Sequence, residues 1–98
     1  MILYSTRARI SGYAFDALGW ANEVGKLVSS LGTPVEVAAR VGGGQDLVWL
    51  SRFSTMAELD AQLAKIQQSR EYQATIKHAV DKGFFDPASI DTGIWRTL

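Results

Sequence analysis

The chain has 98 residues, 47% of them hydrophobic, and its ten basic and ten acidic residues cancel. This length predicts one domain over residues 1–98. The balanced charge disfavours nucleic-acid partners, which need a basic surface, and the lack of cysteine excludes disulfides and thiolate metal sites. We find no signal peptide and no apolar run long enough to span a bilayer, so we expect a cytoplasmic protein without membrane contacts.

The first predicted element is a strand over residues 2 to 10, because apolar and polar side chains alternate there. One set of side chains is expected to lie against the helices: Ile2, Tyr4, Ala8 and Ile10. The other set is expected on the opposite sheet face: Leu3, Ser5, Arg7 and Arg9.

An amphipathic helix follows over residues 14 to 31, and Gly32 and Pro34 mark its end. At about 100° per residue, one arc collects its apolar side chains. These are Ala14, Ala17, Trp20, Ala21, Val24, Leu27, Val28 and Leu31.

The next pattern predicts a hairpin of two strands, joined by the turn at Gly42, Gly43 and Gly44. Its first strand alternates through Val35, Val37, Ala39 and Val41. Its second strand, residues 47 to 53, is apolar on both sides, as in a central strand. We assign Val48 and Leu50 to the helix side and Leu47, Trp49, Ser51 and Phe53 to the opposite face.

A second helical region begins at a capping box formed by Thr55 and Glu58. Its first segment has the apolar stripe Met56, Leu59, Leu63 and Ile66. A break is predicted near Gln68, where Ser69 can cap a second segment. That segment has the inner face Tyr72, Ile76, Ala79 and Val80 and ends at Gly83, and residues 90 to 98 form a last strand.

The order β-α-β-β-α-β predicts an α+β, ferredoxin-like fold. Its four strands form an antiparallel sheet with both helices on one face. The other face of the sheet then needs a cover, and so short a domain gains from burying more surface. We therefore expect a homodimer.

The segment from Val48 to Leu59, followed by Ser69-Arg70-Glu71-Tyr72, resembles the dimeric α/β-barrel superfamily. The strand, the capped helix and then the small residue and aromatic look like those of cofactor-free antibiotic biosynthesis monooxygenases and NIPSNAP-like proteins. The resemblance implies two ferredoxin-like domains paired through their sheet faces. It leaves the activity open, because the superfamily includes monooxygenases, cyclases, isomerases, haem-degrading enzymes and proteins of no known reaction.

The candidate ligand-binding residues are those predicted on the sheet face away from the helices: Ser5, Arg7, Arg9, Trp49, Ser51 and Phe53. Such a cavity between sheet faces suits a small planar aromatic or enolic molecule with an anionic or phenolic oxygen. Whether the protein is an enzyme stays open; if it is one, the resemblance implies a cofactor-independent monooxygenase-like or isomerase-like reaction.

The alternative is a non-catalytic dimeric binding or assembly protein whose barrel is filled by side chains. Trp49 and Phe53 would then pack in the dimer core. The arginines Arg7, Arg9 and Arg40 would pair with Glu36 or with acids of the partner subunit, since aromatic and arginine side chains are common in interfaces.

His78 is the only histidine. Its helical position groups it with Glu71 and Lys82, so we expect it in solvent. In haem-degrading members of the superfamily the iron-binding histidine occupies the position of Ile76 here. We therefore expect no haem, no metal site and no cofactor.

Overall fold

The computed structural model describes residues 1–11, 14–40 and 42–98. Its elements follow the predicted order: β1 Ile2–Arg9, α1 Ala14–Ser30, β2 Val35–Ala39, β3 Asp46–Phe53, α2 Met56–Gln68, α3 Arg70–Lys82, a short 3₁₀ turn Pro87–Ser89 and β4 Asp91–Arg96. The predictions for Val41 and for the side chain of Ala14 lie outside the described part.

The four strands form one antiparallel sheet in the order β2-β3-β1-β4. The α+β, ferredoxin-like fold is therefore confirmed. The turn between β2 and β3 is held by the Arg40 guanidinium, which bonds the Asp46 carboxylate at 2.9 Å and the Gly42 carbonyl at 2.8 Å. No helix in the described ranges is long and apolar enough to cross a membrane.

Local hydrogen bonds fix where the second and third helices begin. The Thr55 hydroxyl accepts from the backbone N–H of Glu58 at 3.2 Å, and the Glu58 carboxylate accepts from the N–H of Ser54 at 2.9 Å. Ser69 ends α2 and caps α3, since its hydroxyl accepts from the N–H of Tyr72 at 3.2 Å. The predicted break at this serine is confirmed.

The core lies between the sheet and the helices. Its buried side chains include Ile2, Ala8, Ala17, Trp20, Ala21, Val24, Val28, Leu47, Phe53, Leu59, Ala79 and Phe85. The predicted inner faces of α2 and α3 are wrong at Met56 and Val80, which are 39% and 44% exposed. Met56 lies in the first turn of α2, and Val80 is rotated by about 100° from the fully buried Ala79.

The predicted orientation of β3 is also wrong. Tyr4 pairs with Ser51 and Thr6 pairs with Trp49, and directly paired residues point to the same face of a sheet. Leu47, Trp49, Ser51 and Phe53 therefore lie on the helix side, and the Trp49 indole donates to the Ala21 carbonyl of α1 at 3.1 Å. The opposite orientation would place Arg52 under the helices, whereas it is exposed and bonded to Glu36 at 2.7 Å.

The orientation of β1 is as predicted, with Ile2 and Ala8 buried against the helices. We call the other side of the sheet the open face, because none of the described helices covers it. The strand register assigns to it Leu3, Ser5, Arg7, Arg9, Val48, Leu50, Arg52 and Trp95.

Helix α1 approaches β2 closely at one glycine. A Cβ atom built on Gly25 would lie 2.5 Å from Cγ2 of Val37, well inside a normal carbon–carbon contact. The absence of a side chain at this position lets α1 lie directly on the β2 side of the sheet.

Candidate ligand pocket

A pocket of about 230 Å³ lies between the sheet and the helices. Its floor is made by side chains from β1 and β3 and its roof by side chains from all three helices. The lining residues are Tyr4, Thr6, Ala8, Trp20, Val24, Val28, Thr33, Val35, Trp49, Ser51, Phe53, Leu59, Gln62, Leu63, Ile66, Tyr72, Ile76, Phe85, Ile90 and Thr92. We call this space the sheet–helix pocket.

The pocket is closed towards β2 and open towards β4. On the β2 side, α1 lies directly on the sheet at Gly25 and Val37. On the β4 side, two lining residues are exposed: Ile90, at 46%, and Thr92. The other described lining residues are buried or half-buried. A ligand would therefore enter beside β4.

Several polar groups of the lining are already bonded to backbone carbonyls of the helices. The Trp20 indole donates to Thr75 at 3.1 Å, the Trp49 indole to Ala21 at 3.1 Å, and the Gln62 amide to Val28 at 3.1 Å. These bonds satisfy the donors and hold the side chains in place, so the groups are not available as donors to a ligand.

The remaining polar side chains of the lining all carry hydroxyl groups. Three of them form what we call the hydroxyl cluster: Tyr4, Ser51 and Tyr72. Tyr4 and Ser51 are directly paired across β1 and β3. The Tyr72 phenol is near enough to Tyr4 for the two to affect each other electrostatically. In the part of the chain that the structure describes, no side-chain hydrogen bond involves these three hydroxyls, and no side-chain polar atom is both fully buried and unpartnered. The Ser51 hydroxyl, although its residue is only 7% exposed, is therefore still accessible from the pocket.

Burial raises the pKa of the Tyr72 phenol above its ordinary value, and the neighbouring Tyr4 phenol adds to this rise. The low polarity around the phenol disfavours the charged form. Tyr72 is consequently neutral at physiological pH and can act as a hydrogen-bond donor.

Among the described residues, the pocket lining includes no carboxylate, ammonium, guanidinium or imidazole group. The same part of the chain holds no cluster of histidine and acidic side chains that could bind a metal ion. The geometry therefore provides desolvation, aromatic contact and neutral hydroxyl donors. It does not provide a side chain that would act as a general base near neutral pH.

The predicted site residues are divided between the two faces of the sheet. Trp49, Ser51 and Phe53 line the sheet–helix pocket. Ser5, Arg7 and Arg9 lie on the open face: the Ser5 hydroxyl accepts from the Trp95 indole at 3.0 Å, Arg7 pairs with Asp91 at 3.2 Å, and Arg9 is exposed. The six residues do not form one site, because the opposite orientation of β3 moves half of them to the helix side.

The arginines predicted to pair with acids do so within the chain in two cases. Arg7 contacts Asp91 at 3.2 Å and Arg40 contacts Asp46 at 2.9 Å. Glu36, the acid predicted from sequence, pairs instead with Arg52 at 2.7 Å.

Tyr4 and Tyr72 were not among the predicted site residues. Two signals in the sequence point to them. Tyr4 shares the side of β1 that faces the helices, and Tyr72 follows the break at Ser69, where α3 starts beside the sheet.

His78 is exposed, as predicted, and its ring lies edge-on to Phe84 with 5.8 Å between the ring centres. Ile76, at the position of the haem ligand in the haem-degrading members, lines the pocket with an aliphatic side chain. The residues at this position therefore do not fit an iron-bound haem.

No family model and no curated protein matches the chain. Several solved structures, however, match the fold of the chain. A NIPSNAP domain protein from Burkholderia xenovorans has a TM-score of 0.80 at 13% identity and covers 100% of this chain and 95% of its own. A NIPSNAP family protein from Agrobacterium tumefaciens has a TM-score of 0.78 at 16% identity, and the match covers 99% of this chain and 92% of that protein.

A variant of SnoaB, a cofactor-independent oxygenase from Streptomyces nogalater, has a TM-score of 0.71 at 7% identity, with 98% of this chain and 91% of its own covered. At these identities the likeness concerns the fold. The chain therefore has the ferredoxin-like fold of NIPSNAP proteins and antibiotic biosynthesis monooxygenases, which is the resemblance predicted from its sequence.

Proposed function

We propose that the protein binds a small, planar organic molecule in the sheet–helix pocket. The observation that carries this proposal is an apolar pocket with a few unpartnered hydroxyls converging on it, which is the usual character of a small-molecule site. Trp49 and Phe53 supply aromatic contact area, and Ser51 supplies a polar group at the pocket floor.

This proposal moves the ligand from the cavity between sheet faces to the space inside each chain. Arg7 and Arg9 then have no part in binding, since they lie on the other side of the sheet. A developing negative charge on the ligand would consequently find no cation among the described lining residues.

A cofactor-independent oxygenase-like or isomerase-like reaction is the chemistry proposed for this pocket if the protein is an enzyme. It is supported by the fold shared with SnoaB and by the largely apolar lining, which would remove water from a bound ligand. The lack of a carboxylate or imidazole in the described lining favours the non-catalytic alternative, a binding protein. Oxygen uptake in the presence of a bound ligand would separate the two.

Binding can be tested by NMR, because the three tryptophans report on different places. Trp20 and Trp49 line the pocket, whereas Trp95 lies on the open face and is 60% exposed. Titration with naphthalene, a flat apolar probe, should shift the indole N–H signals of Trp20 and Trp49 and leave that of Trp95 unchanged. A Kd of about 100 µM needs about 0.5 kcal/mol from each carbon, within the usual range for small ligands.

Two variants make the NMR test specific. Thr6→Phe places a larger side chain on the pocket floor and should abolish the shifts, whereas Arg7→Ala on the open face should leave them unchanged. No saturable shift at Trp20 and Trp49 would overturn the proposal. If the shifts are observed, native mass spectrometry of freshly purified protein would identify any natural ligand that co-purifies.

We also propose that the open face pairs with the open face of a second copy. It has a central apolar part, Leu3, Val48 and Leu50, beside the exposed Trp95. Ion pairs such as Arg7–Asp91 surround this part. An apolar centre with a polar rim, enriched in tryptophan and arginine, is typical of protein interfaces.

Light scattering at micromolar concentration tests the pairing. The wild-type protein should have twice the 10.7 kDa mass of one chain. Leu50→Asp should give a monomer, whereas Val80→Asp, a similar change at an exposed position on α3, should remain a dimer. A wild-type monomer, or equal effects of the two variants, would contradict the proposal.

A further inference from the structure

The polar groups that the sheet–helix pocket offers to a ligand are all uncharged among the described residues. The indole and amide donors are bonded to helix carbonyls. The hydroxyls of Tyr4, Ser51 and Tyr72 make no side-chain hydrogen bond among the described residues, and their residues line the cavity. Since no side-chain polar atom there is both fully buried and unpartnered, these hydroxyls are accessible to a ligand. We infer that the pocket selects an uncharged molecule with one or two fused rings and a carbonyl oxygen, held by the hydroxyl cluster. This inference rests on the proposed function.

The preference for an uncharged ligand follows from desolvation. A carboxylate or an ammonium group loses its hydration on entering an apolar cavity and needs an opposite charge to compensate. Among the described residues the lining offers none. Arg52, next to Ser51 in the chain, points away on the open face and pairs with Glu36. Arg70, two residues before Tyr72, is exposed. A charged ligand would therefore bind much more weakly than a neutral one of the same shape.

The preference for a carbonyl oxygen follows from the donors. Ser51 is 7% exposed and lies opposite Tyr4 in the sheet, so both side chains enter the pocket from the same part of its floor. Tyr72 approaches Tyr4 from the first turn of α3, where Ser69 fixes the start of the helix. A phenol that stays protonated donates a hydrogen bond, and a ketone or quinone oxygen can accept from more than one donor at once.

The size of the ligand follows from the pocket volume. An apolar cavity of about 150 Å³ holds benzene. The pocket here has about 230 Å³, roughly one and a half times as much. This space accommodates a substituted single ring or two fused rings.

Three probes of similar shape test these points: α-tetralone, which has a carbonyl group; tetralin, which lacks it; and tetralin carboxylate, which is charged. Their affinities would be measured from the indole N–H shifts of Trp20 and Trp49 in the wild-type protein and in Tyr72→Phe. We expect α-tetralone to bind about 3- to 10-fold more tightly than tetralin, as one neutral hydrogen bond allows. Tetralin carboxylate should bind at least about 100-fold more weakly than α-tetralone.

In Tyr72→Phe the advantage of α-tetralone should disappear, while the affinity for tetralin stays within about twofold of the wild type. Ser51→Ala, a second small change in the cluster, should reduce the advantage without altering tetralin binding. Equal binding of α-tetralone and tetralin in the wild type, equal losses of both in Tyr72→Phe, or tight binding of the carboxylate would each overturn this inference and leave the proposed function intact. A failure of all three probes to shift Trp20 and Trp49 would overturn both.

Discussion

Two glycines in the same helix provide a sensitive test of how α1 packs on the sheet. Replacing a glycine inside a helix by alanine normally stabilises the helix by about 1 kcal/mol. At Gly19 the new methyl group would meet no atom within 4 Å, so Gly19→Ala should give this full gain. At Gly25 the methyl carbon would lie 2.5 Å from Cγ2 of Val37, against about 3.5–4.0 Å for a normal contact.

The overlap at Gly25 should cost about 1–3 kcal/mol, a typical penalty for overpacking. Because the gain in helix propensity is common to both variants, Gly25→Ala should be less stable than Gly19→Ala by about this amount. The difference corresponds to at least about 4 °C in Tm. Urea unfolding at one fixed protein concentration would measure it, since dimer formation would make stability depend on concentration.

The double variant Gly25→Ala/Val37→Ala gives the control. Removing Cγ2 of Val37 removes the overlap, so the alanine at position 25 should regain its stabilising effect in that background. If Gly25→Ala stabilises the wild-type protein as much as Gly19→Ala does, the close approach of α1 to β2 is not a tight contact, and the reasoning is refuted.

Three further predictions concern the helix caps, the buried phenol and the core. Ser69→Ala should lose about 1 kcal/mol of stability by removing the cap of α3, whereas Ser54→Ala, whose hydroxyl makes no described hydrogen bond, should change it little. The raised pKa of Tyr72 means that the unfolded state releases the phenolic proton first, near pH 10. The protonated Tyr72 phenol therefore contributes to the stability of the folded state below pH 10, and this contribution is lost as pH rises through the folded-state pKa. Above pH 10, the free energy of unfolding of Tyr72→Phe should fall less steeply with rising pH than that of the wild type. An equal pH dependence of the two proteins would contradict the burial of this phenol. Leu59→Ala should cost about 2–5 kcal/mol in a urea titration and Met56→Ala less than about 1, because the first side chain is fully buried and the second is 39% exposed.

The orientation of β1 could be predicted from sequence because its charges all fall on one side. Arg7 and Arg9 share that side, so Ile2 and Ala8 must face the core. The same reasoning did not resolve β3, since Leu47 to Leu50 is apolar on both sides. The residue that decides the orientation is Arg52. It shares a side with Val48 and Leu50, and placing that side under the helices would bury an arginine.

The element boundaries marked by caps were predictable for a similar local reason. Thr55 and Ser69 each bond a backbone N–H three residues further on, so their effect can be read from short segments. The pocket depends on distances between elements, which short segments do not contain. Tyr4 and Tyr72 lie far apart in the chain and approach only when α3 lies over β1, so neither pattern alone indicates a shared site.

The pocket is closed by α1 over β2 and open beside β4. Because of this asymmetry, the residues that stabilise the fold and the residues that control ligand entry lie in different places. The residues that stabilise the fold, such as Trp20 and Leu59, lie deep between the helices and the sheet, whereas Ile90 and Thr92 at the entrance are exposed. Substitutions at the entrance should therefore cost little stability while changing which molecules can enter. In this protein, the segment leading into β4 is then a place where ligand preference can be redesigned without rebuilding the core.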